Sequence, residues 1–168
     1  MPTTYEKIAT TTLGSASATI TFSSISSAYT DLRLVLVAQS TTGGSAIANA
    51  RLTYNSDTAT NYSRTVLAGD GSAAASYRNT SVAYLDLASA NLSSAQPSLL
   101  TYDIFSYAGS TFKTTLYTAS QDYNGSGAVE RIVGLYRSTT AISAITITST
   151  LNTYAIGTTA TLYGILKA

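Results

Sequence analysis

The segment Asp31-Leu32-Arg33-Leu34-Val35-Leu36-Val37-Ala38-Gln39 decides how this chain is read. Leu32, Leu34, Leu36 and Ala38 stand two residues apart. They share one face if the backbone is extended, because successive side chains of a strand point to opposite sides. Val35 and Val37 make the middle of the other face apolar too. That pattern predicts a central strand, buried or nearly so on both faces. Nowhere do apolar residues recur at three- and four-residue spacing over a long window, so no long amphipathic helix is expected.

The same period extends outward along the chain. In Phe112-Lys113-Thr114-Thr115-Leu116-Tyr117-Thr118, the residues Phe112, Thr114, Leu116 and Thr118 share a face and Lys113 lies opposite, which predicts a half-exposed strand. In 159–167, Ala160, Leu162, Gly164 and Leu166 face one way and Thr161, Tyr163 and Ile165 the other. Two apolar faces there predict a C-terminus tied into the fold. Further strands are expected at Tyr5–Leu13, Ala18–Phe22, Ala50–Tyr54, Arg64–Leu67, Ser81–Leu87, Leu99–Tyr107, Val129–Tyr136 and Ile142–Thr148, rich in the Thr, Val, Ile and Tyr that strands favour.

Between these runs lie turn signals. Asp70-Gly71 and Asn124-Gly125 are tight-turn dipeptides, Thr42–Ser45 and Ala108-Gly109-Ser110 are loop punctuation, and Pro97 precedes a strand where a missing N–H does little harm. The stretch 88–96 reads as a loop or a short helical turn. No linker divides the chain, so one domain over 1–168 is expected. About ten strands without crossover helices must be mostly antiparallel. The expected fold is an all-β antiparallel sandwich, a jelly roll first and another Greek key second.

Composition narrows the function classes. The chain has 168 residues, 45% of them hydrophobic, which is enough to fill a core. Only 10% are charged, against about 25% in ordinary globular proteins, and the net charge is +1. Ser, Thr, Asn, Gly and Ala take the places that Glu and Lys usually hold. Such a surface is polar yet cheap to desolvate, which suits dense packing against neighbours. The basic residues are scattered from Lys7 to Lys167, so no stripe for nucleic acid forms. No apolar run is long enough for a membrane helix. The opening Met1-Pro2-Thr3-Thr4-Tyr5-Glu6-Lys7 has no basic patch before an apolar stretch, so export by a secretory signal is not expected.

Catalytic and metal chemistry find little to work with. There is no cysteine and no histidine, which removes thiolate sites and the commonest general base and metal ligand. No Ser-x-x-Lys or Gly-x-Ser-x-Gly motif occurs; Gly125-Ser126-Gly127 reads as a turn. The carboxylates that a glycosidase pair would need are Glu6, Asp31, Asp57, Asp70, Asp86, Asp103, Asp122 and Glu130. Asp31 and Asp70 read as turn or strand-edge residues, and Asp86 and Asp103 as solvated or paired with a nearby Arg. Gln121–Gly125 offers oxygens around a sharp turn, but the rest of a calcium loop is missing and a plain hairpin is the simpler reading. No enzyme, cofactor or metal is expected. The Asn-x-Ser/Thr triplets at Asn61, Asn79, Asn91 and Asn124 match chance frequency in so Ser/Thr-rich a chain.

Tyrosine is the unusual count: thirteen, with three Phe and no Trp. Many must be core or sheet residues. Those near predicted loops or strand ends, Tyr62, Tyr77, Tyr107, Tyr123 and Tyr136, are the candidate interface or ligand contacts, because tyrosine gives a large rigid contact area at low entropic cost.

Tyr5–Leu13, Ile20–Ile25, Tyr29–Val35, Leu52–Asp57 with Asn61-Tyr62-Ser63, Gly134–Ser138 and Thr161–Ile165 follow one another along most of the length. In that order they resemble a group of small virion proteins of tailed bacteriophages. The resemblance implies a particle protein of the structural, tail-fibre or capsid-decoration kind, without catalytic residues. A free-standing domain beginning at its own methionine fits a cement protein better than the end of a fibre. The expectation is a capsid decoration protein, made in the host cytoplasm, that binds the major capsid protein and itself as a homodimer or homotrimer. The alternative is a tail-fibre or carbohydrate-binding module that reads a host surface glycan. Neither reading involves nucleic acid or a membrane.

Overall fold

The computed structural model describes residues 4–42, 49–87 and 91–166. Among the described residues there is no helix. Twelve strands follow in order: β1 (Tyr5–Thr12), β2 (Thr19–Phe22), β3 (Asp31–Ala38), β4 (Ala50–Tyr54), β5 (Tyr62–Gly69), β6 (Ala74–Val82), β7 (Leu85–Asp86), β8 (Ser98–Phe105), β9 (Lys113–Asp122), β10 (Gly127–Tyr136), β11 (Ile145–Ser149) and β12 (Thr159–Ile165).

They form a large sheet of eight strands, ordered β1-β12-β3-β8-β9-β10-β5-β6, and a small sheet of four, β2-β11-β4-β7. Every pairing is antiparallel. Nested partners β1·β12, β2·β11, β3·β8 and β4·β7 are those of one long hairpin. Rolling it up adds the pairs β12·β3 and β11·β4, and alternate strands then fall in opposite sheets. This is the jelly-roll arrangement. Two further hairpins are inserted in it. β5–β6 follows β4, β9–β10 follows β8, and both extend the large sheet beyond β8. Adding strands to an open edge satisfies backbone groups that would otherwise be unpaired.

The core lies between the sheets and follows the alternation. From the large sheet it takes Leu32, Leu34, Leu36, Leu100, Tyr102, Ile104, Tyr117, Ile132, Val66 and Leu162; from the small one, Ile20, Phe22, Ile145, Ile147, Leu52, Tyr54 and Leu85. Gly134 is needed where the sheets press together, since a Cβ there would come within 2.7 Å of a Leu85 methyl carbon. Gly164 serves the loop before β3, with the Tyr29 ring lying on its backbone and a Cβ meeting that ring at 2.3 Å. Asp70-Gly71 and Asn124-Gly125 make the expected hairpin turns, closed by Asp70 N–H to the Ala73 carbonyl at 3.2 Å and Tyr123 N–H to the Ser126 carbonyl at 2.7 Å.

Three sequence expectations need correction. β3 is internal in the large sheet, yet only one of its faces is covered: Val35 is half-buried and Val37 is 41% exposed. The small sheet lies on the other face, and no described part of the chain covers this one. In β9 the faces are reversed. Lys113, Thr115, Tyr117 and Ala119 point inward, and Phe112 is 52% exposed. The Lys113 stem is buried and its ammonium donates to the carbonyls of Gly109 (2.6 Å), Thr111 (2.6 Å) and Ser138 (3.2 Å). A cation can be buried when carbonyl dipoles replace its water. The strand expected at Ser81–Leu87 is two pieces, the end of β6 and the short β7, with a break at 83–84. Most of β6 carries no apolar alternation, so a period-two pattern misses it. The loop expected at Thr42–Ser45 and the stretch 88–96 fall partly outside the described residues, as does Lys167.

Candidate functional site

Register places the outward residues of the large sheet in rows that run across its strands. One row is Thr159, Val37, Leu99, Ser120, Val129 and Gly69; the next is Thr161, Val35, Thr101, Thr118, Arg131 and Leu67; a third is Tyr163, Arg33, Asp103, Leu116, Val133 and Thr65. No described segment covers this face. Val129 is 63% exposed, Leu67 58%, Leu99 47% and Val133 43%. Scattered exposed aliphatics are ordinary, but several on one face of one sheet make it the candidate interaction surface.

Its polar groups are largely engaged with one another. Threonine hydroxyls pair across strands at Thr101–Thr118 (2.7 Å), Thr10–Thr161 (3.1 Å) and Thr12–Thr159 (3.3 Å). Arg33 grips Asp103 with two hydrogen bonds of 2.6 and 2.9 Å, and its guanidinium stands over the Tyr5 ring at 5.6 Å. The hydrogen bond to Asp103 raises the Arg33 pKa above its ordinary value, outweighing partial burial. On the far side, Arg78 Nε donates to Thr65 Oγ1 at 3.1 Å, and Arg131 is exposed. The face is therefore weakly cationic at one side and cheap to desolvate over most of its area.

Of the five candidate tyrosines, three are interior. Tyr62 and Tyr136 stack at 4.8 Å, and Tyr54 completes the cluster at 6.2 and 5.4 Å from them. The Tyr62 hydroxyl donates to the Asp57 carbonyl at 3.1 Å and the Tyr136 hydroxyl to the Asp57 carboxylate at 3.0 Å. Both rings are buried at the sandwich end. Asp57 has its pKa lowered, first by the Asn61 amide that donates to it. Tyr107 is buried too, its hydroxyl donating to the Ser26 carbonyl. Their sequence positions next to loops were read as exposure, but a strand-end tyrosine reaches inward when its hydroxyl finds a backbone partner. Tyr123 is half-buried with its hydroxyl 2.6 Å from both the Asn91 carbonyl and Gln121 Oε1. Tyr77, on β6, is 39% exposed and the most open of the five. The residues that sequence reasoning passed over are Val35, Val37, Leu67, Leu99, Val129 and Val133. The signal was present, as apolar residues on both faces of strands in a chain with too few strands to cover both.

The carboxylates are engaged separately. Asp122 Oδ1 accepts the Asn124 N–H at 2.7 Å, and Asp70 Oδ1 accepts the N–H groups of Ser72 and Ala73 at 2.8 and 2.7 Å. Those backbone bonds lower the Asp70 pKa, with Ala73 contributing most. Asp86 pairs with Arg64, and burial raises its pKa in spite of that partner. Among the described residues no group of three or more His, Cys, Asp or Glu converges on a metal position. At one end of the large sheet the two hairpin turns and Gln96-Pro97 border an open groove of about 820 Å³ that includes Leu99, Gln121 and Val129. It has amide and hydroxyl groups but no aromatic ring on its wall.

The chain matches no family model, no curated protein and no solved structure.

Proposed function

We propose that this chain is a structural protein of a tailed-bacteriophage particle, a cement protein that docks on the outside of the assembled head. The observation that carries the reading is the face of the large sheet that no described segment covers, which is rich in Val, Leu and Thr. A jelly roll with one sheet bare is suited to adhesion, and its low-charge surface costs little to desolvate against a neighbour. The particle context rests on the resemblance of the segments Tyr5–Leu13, Ile20–Ile25, Tyr29–Val35, Leu52–Asp57, Gly134–Ser138 and Thr161–Ile165 to small virion proteins. Stabilisation of a shell would come from mass action, because each bound copy favours the intact lattice, and from repetition over many equivalent positions.

Labelled protein added to purified heads and to whole virions tests this reading. Saturable decoration of the head is expected, and it should be lost in Thr118→Arg, which places a charge at the centre of the open face without touching the core. Label confined to tails, or heads that bind wild type and variant alike, would overturn it. A second reading, a glycan-binding module at a fibre tip, is favoured by the 820 Å³ groove. Saturable binding to a glycan array that is abolished by Gln96→Ala would select it over the first.

A further inference from the structure

We infer that two copies of this chain join edge to edge through β6, in register about Tyr77, to make one continuous sheet across a two-fold axis. The inference rests on β6 alone and stands whatever surface the protein coats. No residue of this nine-residue strand is buried, and its second edge has no neighbouring strand among the described ones. Natural proteins protect such edges with charge, bulges or brevity. The other three are protected. β1 carries Glu6 and Lys7 and a register shift at Lys7/Ala9, β2 has four residues and β7 has two. β6 has a single charge, Arg78, and no proline; its own register shift lies at its far end, opposite Tyr62/Arg64, so pairing with β5 is regular from Ala74 to Asn79.

The hydrogen-bond phase is fixed by the hairpin turn. Asp70 N–H donates to the Ala73 carbonyl, so that pair is hydrogen-bonded. Alternation along the register then turns the backbone groups of residues 75, 77 and 79 toward β5, and those of 74, 76, 78 and 80 outward. Ser81 has φ of 57°, which ends the extended geometry after Thr80. The extended edge therefore runs from 74 to 80, one residue past the regular pairing with β5, and its midpoint is Tyr77. Antiparallel pairing about that midpoint sets Ala74 opposite Thr80 of the second copy and Ser76 opposite Arg78. Every outward N–H and C=O finds a partner, the two arginines avoid each other, and the two Tyr77 rings meet as a non-hydrogen-bonded pair, where side chains are closest. Centring on Arg78 instead would set like charges face to face. Because the contact is isologous it closes at two copies and does not propagate into a filament.

Sedimentation of the full chain over a concentration series tests this. A species of about 35 kDa, twice the 17.4 kDa chain, is expected. Ser76→Arg puts like charges opposite Arg78 twice per dimer and should weaken association about tenfold, whereas Ser76→Glu pairs with Arg78 and should tighten it. Opposite signs at one position cannot arise from misfolding. The chain has no cysteine, so single-cysteine variants report register cleanly. Tyr77→Cys should cross-link on oxidation, since Cα atoms of such a pair lie about 4.5 Å apart, within disulfide reach. Ala75→Cys should not, its two copies being about 14 Å apart along the strands. A monomer at every concentration, a dimer indifferent to both Ser76 changes, or equal cross-linking at 75 and 77 would overturn the inference.

Discussion

Raising the pH past the ordinary phenol value of 10 perturbs four side chains at once. Tyr54, Tyr102, Tyr117 and Tyr154 lie in the core, and burial raises the pKa of each. In the folded chain they keep their protons, while in the unfolded chain they lose them above pH 10. The unfolded state therefore binds fewer protons, and stability falls as pH climbs. Each group costs roughly 1–2 kcal/mol at pH 11 and about 2 kcal/mol at pH 11.5. The four together withdraw about 6 and then about 8 kcal/mol, which reaches the total stability of an ordinary domain, about 5–15 kcal/mol. Lys113 works the other way but saturates. Burial lowers its pKa, so stability gained from it grows only up to the ordinary lysine value of 10.5 and then stops. Cooperative unfolding is thus expected between about pH 11 and 12. Phenolate absorbance and far-ultraviolet circular dichroism, followed together against pH, give the assay. The final rise of phenolate should coincide with loss of the sheet signal. Complete ionisation of all the tyrosines with the sheet signal intact would refute the reasoning, because it would mean that these phenols are open to solvent.

The Tyr102 hydroxyl has no hydrogen-bond partner among the described residues, whereas the Tyr54 hydroxyl shares a 2.6 Å bond with Thr115. In urea denaturation Tyr102→Phe should therefore be neutral or stabilising by about 1 kcal/mol and Tyr54→Phe destabilising by a similar amount. Lys113→Ala should cost about 3 kcal/mol, since it strands three carbonyls and empties the space of the stem, and Lys113→Met should cost less because the stem is kept. Equal losses in the two would show that the ammonium contributes everything. Gly164→Val must displace the Tyr29 ring and should lower stability by about 2 kcal/mol, with Tyr29→Ala in the same chain relieving part of the loss.

Period-two patterning was enough to determine the class of this fold. Leu32, Leu34 and Leu36 can share a buried face only in an extended chain, and Ala50–Tyr54 emerges as a strand with the bounds its alternation predicts. Gly71 and the pair Asn124-Gly125 fixed two hairpin turns, since they accept the positive φ that such turns need. Composition likewise removed imidazole and thiol groups, histidine and cysteine being missing. Which face of a strand turns inward was decided elsewhere. In β9 both alternatives carried apolar groups, and Lys113 went inside because the Gly109 and Thr111 carbonyls of the loop before it and the Ser138 carbonyl after β10 converge on its ammonium, a meeting that period-two patterning does not encode. The interface tyrosines were misplaced for the same reason: Tyr62, Tyr107 and Tyr136 reach acceptors supplied by other segments. The bare face of the large sheet and the unprotected edge at β6 were also settled only in three dimensions. They depend on how many strands each sheet receives, and that count follows from the balance of long-range pairings, not from any run of residues.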